Sequence, residues 1–318
     1  MGASKERAMK DVSEAPSPFA EEVPSISVSP SSVATQRAQD MLTPMYEAIH
    51  APRRHRQALI KAIEAESGRR LICYVSGRTA AIDRDDAAGF MDVLHNVRPD
   101  ENVDLLLHTR GGDVDAAEKL MALMQATVAS AQLRIIIPDF AKSAGTLMAL
   151  GADTLIMSDS SELGTIDPQI WSDDGRGNEI CHSVLSYLDA FKRHSEALRE
   201  NPADPVARLM LDKLDPTTQR HFEAVRERAR HFAEDQLKRK GRNFSQIAAA
   251  LLDITRWLSH GQMIKWQDVR ELGLPVEYLP PRSDRWQSYW RLYCLLRLAV
   301  RDKQNIFESR CTSLILDQ

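Results

Sequence analysis

Cysteine is scarce in this 318-residue chain, and its four copies, Cys73, Cys181, Cys294 and Cys311, lie far apart with no C-x-x-C pair. That spacing excludes a disulfide framework and the common zinc motifs, and it fits reduced thiols in a cytoplasmic setting. Positive charge is not in excess either: the formal net charge is −4, so the concentrated basic surface that nucleic acid requires is not expected. No window approaches the roughly 20 apolar residues that span a bilayer. The opening "MGASKERAMKDVSEAPSPFAEEVP" has no apolar run, which predicts that no secretory signal is present. Neither a metal nor a cofactor is expected. What is present is an ordinary soluble composition, 43% hydrophobic and 27% charged, sufficient for a substantial core.

Three regions follow from composition and periodicity. Residues 1–38 are rich in Ser, Pro, Glu and Ala and read as a disordered tail. Residues 39–280 read as one domain, and 281–318 as a C-terminal amphipathic helix with Trp286, Trp290, Tyr293, Leu296 and Val300 at roughly helical spacing. That stripe is expected to pack on its own domain or on a sister subunit.

Within the domain, short apolar runs alternate with amphipathic segments. "RLICYVSG", "VDLLLHT", "LRIIIP" and "DTLIMS" predict strands; "DRDDAAGFMDVLHNV", "DVDAAEKLMALMQATV" and "SAGTLMALGA" predict helices. Continuously apolar strands between such helices indicate an α/β fold with a sheet covered on both faces. After about residue 170 the pattern becomes mostly helical. Ligands in α/β sheets sit beyond the carboxyl ends of strands, where two loops emerge here, "TRGGDVD" and "DFAKSAG".

In "PDFAKSAGTLMALGAD", residues 138–153, a hydroxyl stands at a helix start. Taken alone, Ser143 is a helix cap. Acyl transfer offers the other reading, since it needs a nucleophile, a base and donors for the developing oxyanion. Helix N–H groups at this point favour negative charge, and Ala144 and Gly145 are small enough to let a carbonyl approach. The Ala144 N–H is one candidate donor. Gly111 and Gly112 in "HTRGGDV" offer the second, because paired glycines permit backbone angles that expose N–H groups.

Strand, Gly-Gly, helix, then strand, x-Ser-Ala-Gly, helix resembles the Clp/crotonase fold. The stretches "LLLHTRGGDVDAAEKL", "AKSAGTLMALGADTLIMSDSSELGTIDPQI" and "WLSHGQMIKWQDVRELGLPV" look most like the serine dehydrogenase proteinase family of serine peptidases, related to signal peptide peptidase A, over roughly residues 70–280. The resemblance implies a Clp/crotonase-like core (a repeated ββα superhelix) with a mostly helical C-terminal region. It also implies a polypeptide substrate, a homo-oligomer and an activating partner protein. Ser143 would be the nucleophile, with Gly112 and Ala144 forming the oxyanion hole beside Gly111. Lys142 departs from the small or apolar neighbour expected there, and is read as electrostatic or solvent-facing.

The base stays open at this point. Clp peptidases carry a His about twenty-five residues beyond the nucleophile, where "TIDPQ" here puts Asp167. Asp167 would orient a base, position substrate or cap a turn before Pro168. Signal peptide peptidases use a Ser–Lys dyad, and Lys192 stands close to that pattern. On its helix Lys192 lies about 40° from Leu188, within the apolar stripe, so it is either drawn inward as a general base or snorkels to water. His182, His194 and His260 are the other candidates. Two further functions compete with peptide hydrolysis: an acyl-CoA-binding crotonase-type enzyme, which needs no Ser nucleophile, and a non-catalytic scaffold binding partners through its helical half.

Overall fold

The central strands are buried along their whole length, and residues of alternating face build two separate apolar layers. In the computed structural model, which describes residues 43–173 and 179–318, Ile72 and Tyr74 join one layer while Leu71, Cys73 and Val75 join the other. The disordered tail expected over 1–38 lies outside the described residues.

The chain begins with α1 (Pro44–Ser67), β1 (Arg70–Ser76), α2 (Asp86–Leu94), β2 (Val103–His108), α3 (Val114–Val128) and β3 (Leu133–Ile136). It continues through β4 (Phe140–Ala141), α4 (Ala144–Leu150), β5 (Thr154–Met157), β6 (Glu162–Leu163), β7 (Gln169–Asp173) and β8 (Glu179–Ser183). Four helices follow: α5 (Val184–Glu200), α6 (Pro205–Leu211), α7 (Pro216–Arg239) and α8 (Phe244–Leu251). The last elements are α9 (Trp266–Glu271), β9 (Val276–Tyr278), α10 (Asp284–Ala299), β10 (Gln304–Ser309) and β11 (Ser313–Asp317).

The main sheet has the order β11-β10-β1-β2-β3-β5-β9. Strands β1, β2, β3, β5 and β9 are parallel, with Ile72 opposite Leu105, Leu105 opposite Ile135 and Ile135 opposite Leu155. Helices cover both faces, as continuously apolar parallel strands require. Phe90, Met121, Leu147 and Phe232 pack on one side; Ile60, Ile63, Trp286 and Leu292 pack on the other. Each such side chain contributes about 1.5–3 kcal/mol when taken fully from water. The expected α/β core is therefore present.

The C-terminal part departs from the all-helical expectation. Two compact units divide the chain, residues 1–49 and 50–318, and the whole of 281–318 lies in the larger one. Of the smaller unit, residues 43–49 are described, as the start of α1. The expected C-terminal helix stops at Ala299, and the following residues return as the antiparallel strands β10 and β11 beside β1. Polar residues at buried positions hide β10 from a hydrophobicity reading. Asn305 and Glu308 are both 0% exposed, and each has a dedicated partner. Asn305 Nδ2 donates to Asp86 Oδ1 at 2.9 Å, and Arg56 Nε donates to Glu308 Oε2 at 2.7 Å. The hairpin β7–β8 likewise interrupts the region read as helical.

Candidate active site

The loops leaving β2 and β3 are zipped together by their backbones. Thr109 N–H donates to Phe140 O at 3.1 Å, and Lys142 N–H donates to Thr109 O at 3.0 Å. This small second layer continues through β4 paired with β6, and through a backbone pair between Leu163 and Ile264. Three stretches distant in sequence, around residues 109–112, 140–146 and 259–264, thereby reach one place.

Gly111 and Gly112 have φ of 101° and 149°, values closed to ordinary side chains. A Cβ on Gly111 would stand 2.8 Å from Ser143 Cβ and 3.1 Å from Ala144 N, so the glycine backbone lies directly against the serine. A Cβ on Gly112 would strike the Ile82 backbone at 2.4 Å. Gly111 O and Asp113 N are both engaged by Ile82, at 2.8 and 2.9 Å, which fixes the peptide units around Gly112.

Ser143 occupies the N-cap position of α4 but makes no side-chain capping bond. Asp113, the cap of α3, shows the contrast: its carboxylate accepts from Asp115 N and Ala116 N. The cap reading of Ser143 is thus corrected, and its hydroxyl is left for other chemistry. Its backbone is also strained, at φ 50° and ψ −117°. Such a conformation costs on the order of 1–3 kcal/mol and persists only where neighbours over-determine it. Here Gly145 N donates to Lys142 O at 2.7 Å and Leu147 N to Ser143 O at 3.1 Å, which leaves the Ala144 N–H among the unpaired donors of the first turn.

Lys142 is turned away from solvent into the second layer. Its Nζ pairs with Glu162 at 3.0 Å and donates to Leu163 O at 3.2 Å and Gln262 O at 3.4 Å. The expected solvent-facing role is corrected: this ammonium ties the Ser143 loop to the strap carrying His260. Glu162, its partner, was not legible as a site residue, because nothing in local spacing connects the two.

Asp167 is 5% exposed, so it is a buried carboxylate rather than a turn cap. It accepts from Gln169 Nε2 at 2.8 Å, Ser183 Oγ at 3.0 Å and Leu185 N at 3.3 Å. The last two place it at the N-terminus of α5, where helix N–H groups favour an anion. His260 Nδ1 lies 3.7 Å from Asp167 Oδ2, buried and without a hydrogen-bond partner among the described residues. The two candidates are therefore neighbours, a pairing the linear sequence does not reveal.

Lys192 goes elsewhere. Its side chain is 72% exposed and stands 4.0 Å from Glu196, one turn along α5. It borders a cavity of about 440 Å³ that includes neither Ser143 loop, so the structure does not bring it to the serine. The apolar stripe containing Lys192 was real, but its flexible stem carries the amine to water. His182 stands on β8 opposite Ile170, and His194 lies half-buried on α5; neither pairs with Ser143 or Asp167 among the described residues.

Two cavities meet at His260. One of about 390 Å³ is bordered by Thr165, Asp167, Ser183 and Leu185. The other, of about 430 Å³, is bordered by Arg110, Phe140, Lys142 and Glu162. His108, at the end of β2, is the remaining imidazole close by. Burial, and then the positive charge of Arg297, push its pKa down to about 3, so it is neutral and proton-poor. The Tyr293 hydroxyl lies 3.3 Å from its Nδ1 and donates to Asp139 Oδ2 at 2.6 Å. Among the described residues no group of three or more His, Cys, Asp or Glu is placed to hold a metal ion. No described helix is long and apolar enough to cross a membrane.

Residues 53–201 match the ClpP-like SDH-type serine proteinase family. The chain is 28% identical over 200 residues to the uncharacterized protein MJ0137 of Methanocaldococcus jannaschii, covering 63% of this chain and 62% of that relative. It is 26% identical over 235 residues to a second uncharacterized protein of the same organism, MJ1495, covering 70% of this chain and 72% of that one. The chain thus spans less than two thirds of the first relative's length. Among solved structures, a variant of the membrane-bound stomatin-specific protease 1510-N aligns at TM-score 0.41 and 16% identity, over 68% of this chain and 82% of that one. ClpP1 from Listeria monocytogenes aligns at TM-score 0.37 and 12% identity, over 69% of this chain and 95% of that one.

Proposed function

We infer, for a chain whose residues 53–201 match the ClpP-like SDH-type serine proteinase family, that it hydrolyses peptide bonds through an acyl-enzyme on Ser143. The strained, uncapped Ser143 pressed against the Gly111 backbone carries this reading. Ser143 Oγ attacks the scissile carbonyl, and the N–H groups of Gly112 and Ala144 receive the developing oxyanion. His260 takes the Ser143 proton and returns it to the leaving amine, after which it activates water to release the acyl group. Asp167 holds the imidazole through Nδ1 and stabilises its cationic form, a role that suits a buried carboxylate with no other cation beside it among the described residues.

Two features support this assignment over the Lys192 dyad. His260 borders the same cavity as Lys142, the residue preceding Ser143, and its orphaned Nδ1 faces Asp167. Catalytic hydrogen bonds in unliganded sites are commonly long and tighten with substrate, which suits the 3.7 Å separation. The substrate on this reading is a polypeptide. A homo-oligomer is supported by the apolar Val206, Leu209 and Met210 exposed on α6. A reducing, cytoplasmic setting is supported by four unpaired cysteines.

The test is turnover of an unstructured fluorogenic polypeptide such as labelled casein by the full chain. Ser143→Ala should lower kcat at least about 10³-fold, as loss of a serine nucleophile does. Equal rates in the two proteins would overturn the assignment.

A further inference from the structure

The cavity of about 430 Å³ beside the Ser143 loop has an unbalanced charged lining. Arg78, Arg110, Lys142 and Arg297 border it, with Glu162 as the carboxylate among its lining residues. Two of these cations are already neutralised. Lys142 Nζ is held by Glu162 at 3.0 Å, and Arg78 Nη2 by Asp302 at 2.8 Å. The other two are anchored by neutral backbone: Arg110 Nη1 donates to Arg78 O at 3.0 Å, and Arg297 Nη1 donates to Ser76 O at 2.8 Å. Among the described residues no carboxylate lies within 4.0 Å of either guanidinium.

A guanidinium carries five N–H donors in a planar fork matched to a carboxylate. Here each fork is oriented by one carbonyl, and its other donors have no described partner. A solvated surface arginine needs neither an anchor nor a cavity. Arg297 is moreover half-buried at the end of α10, and its charge is felt by the buried His108. Phe140 supplies an apolar wall, while Gly261, where a Cβ would meet nothing within 4 Å, leaves space beside it.

Position completes the argument. Arg110 immediately precedes Gly111, Lys142 immediately precedes Ser143, and the backbone pair between Thr109 and Ala141 sets the two loops side by side. A cavity flanked by these two loops therefore takes a group of the substrate near the bond being cut. We propose that this cavity binds a carboxylate of the polypeptide substrate through Arg110 and Arg297. Its effect on turnover rests on the serine peptidase reading; its effect on binding does not. The carboxylate comes either from an acidic side chain or from the substrate's own C-terminus.

The test uses one short peptide in four forms: with Gln or with Glu at one position, each with a free or an amidated C-terminus. Binding is read by fluorescence anisotropy on the full-length Ser143→Ala variant, and cleavage on the unmutated chain. A carboxylate-bearing form should bind at least about tenfold tighter than the neutral amide, as a charge-assisted pair predicts. Raised salt should weaken that preference, and Arg110→Gln and Arg297→Gln should each reduce it. Arg110 is exposed, so its replacement leaves the core untouched.

Preference for Glu in amidated peptides assigns a side chain, and preference for the free terminus in Gln peptides assigns the C-terminal carboxylate. Equal binding of all four forms, or a preference that survives both arginine replacements, overturns the proposal. Arginine-dependent carboxylate binding without Ser143-dependent cleavage keeps the binding site and removes the peptidase reading. Ser143-dependent cleavage indifferent to carboxylates does the reverse.

Discussion

At the scale of single residues, conformation separates Ser143 from an ordinary cap. The residue type and the helix start are shared with any N-cap serine, whereas the positive φ and the missing capping bond are not. As candidates, Ser143, Gly111, Gly112 and Ala144 stand out in the sequence because they lie in two short runs of small residues. The proposed proton acceptor was not legible, since Asp167 and His260 meet through contacts distant in sequence, the pairing of Leu163 with Ile264, the Thr165 hydroxyl on His260 O and the packing of α5. Lys192 was misleading for a physical reason: helical periodicity fixes the direction of Cβ, and a four-carbon stem then reaches water. The two assignments separate cleanly in turnover measurements. His260→Gln should lower kcat by about 10²–10⁴-fold, the contribution of a positioned base, while Lys192→Met should stay within about twofold. The opposite ranking would restore the Ser–Lys dyad.

At the scale of elements, the parallel strands β1, β2, β3 and β5 were readable because they are mostly apolar, and β9 and β10 were not. The buried Asn305 and Glu308 of β10 break the pattern that marks a strand, and each is bonded to a residue from far along the chain. Yet β10 seals one side of the core. Phe307 stacks on Tyr74 with centroids 5.0 Å apart and meets Phe90 edge-on at 5.8 Å. Gly89 of α2 lies so close that a Cβ there would stand 2.4 Å from the Phe307 ring. Phe307→Ala should therefore cost about 3–5 kcal/mol, the range for truncating a fully buried aromatic. Urea unfolding of the full chain measures it, and a loss under about 1 kcal/mol would show that β10 is peripheral to the core.

At the scale of the whole molecule, two buried groups set opposing pH dependences. His108 has its pKa lowered to about 3 by burial and then by Arg297, so the native state holds it neutral. The unfolded chain takes up that proton below its ordinary value of 6.5, so this contribution is intact above pH 6.5 and declines as pH falls toward 3. Asp86 is raised to about 6, chiefly by desolvation, against an ordinary 3.8. Its contribution is present below pH 3.8 and is lost as pH rises through 6. A stability profile alone mixes the two, so the ring signals of His108 are the direct readout. They should show no protonation in the folded protein between pH 7 and 4, well above its value of about 3. Titration near 6.5 would contradict the buried, cation-facing placement at the end of β2.

The same pair of loops that brings Thr109 against Ala141 holds Ser143 against Gly111, and the account as a whole depends on that hydroxyl being nucleophilic. The most direct measurement is reaction of the full-length protein with a fluorophosphonate, read by intact mass and then by peptide mapping. One adduct on the peptide containing Ser143, absent in Ser143→Ala, is the predicted result. A protein that remains unlabelled, or an adduct on another residue that persists in Ser143→Ala, would contradict it.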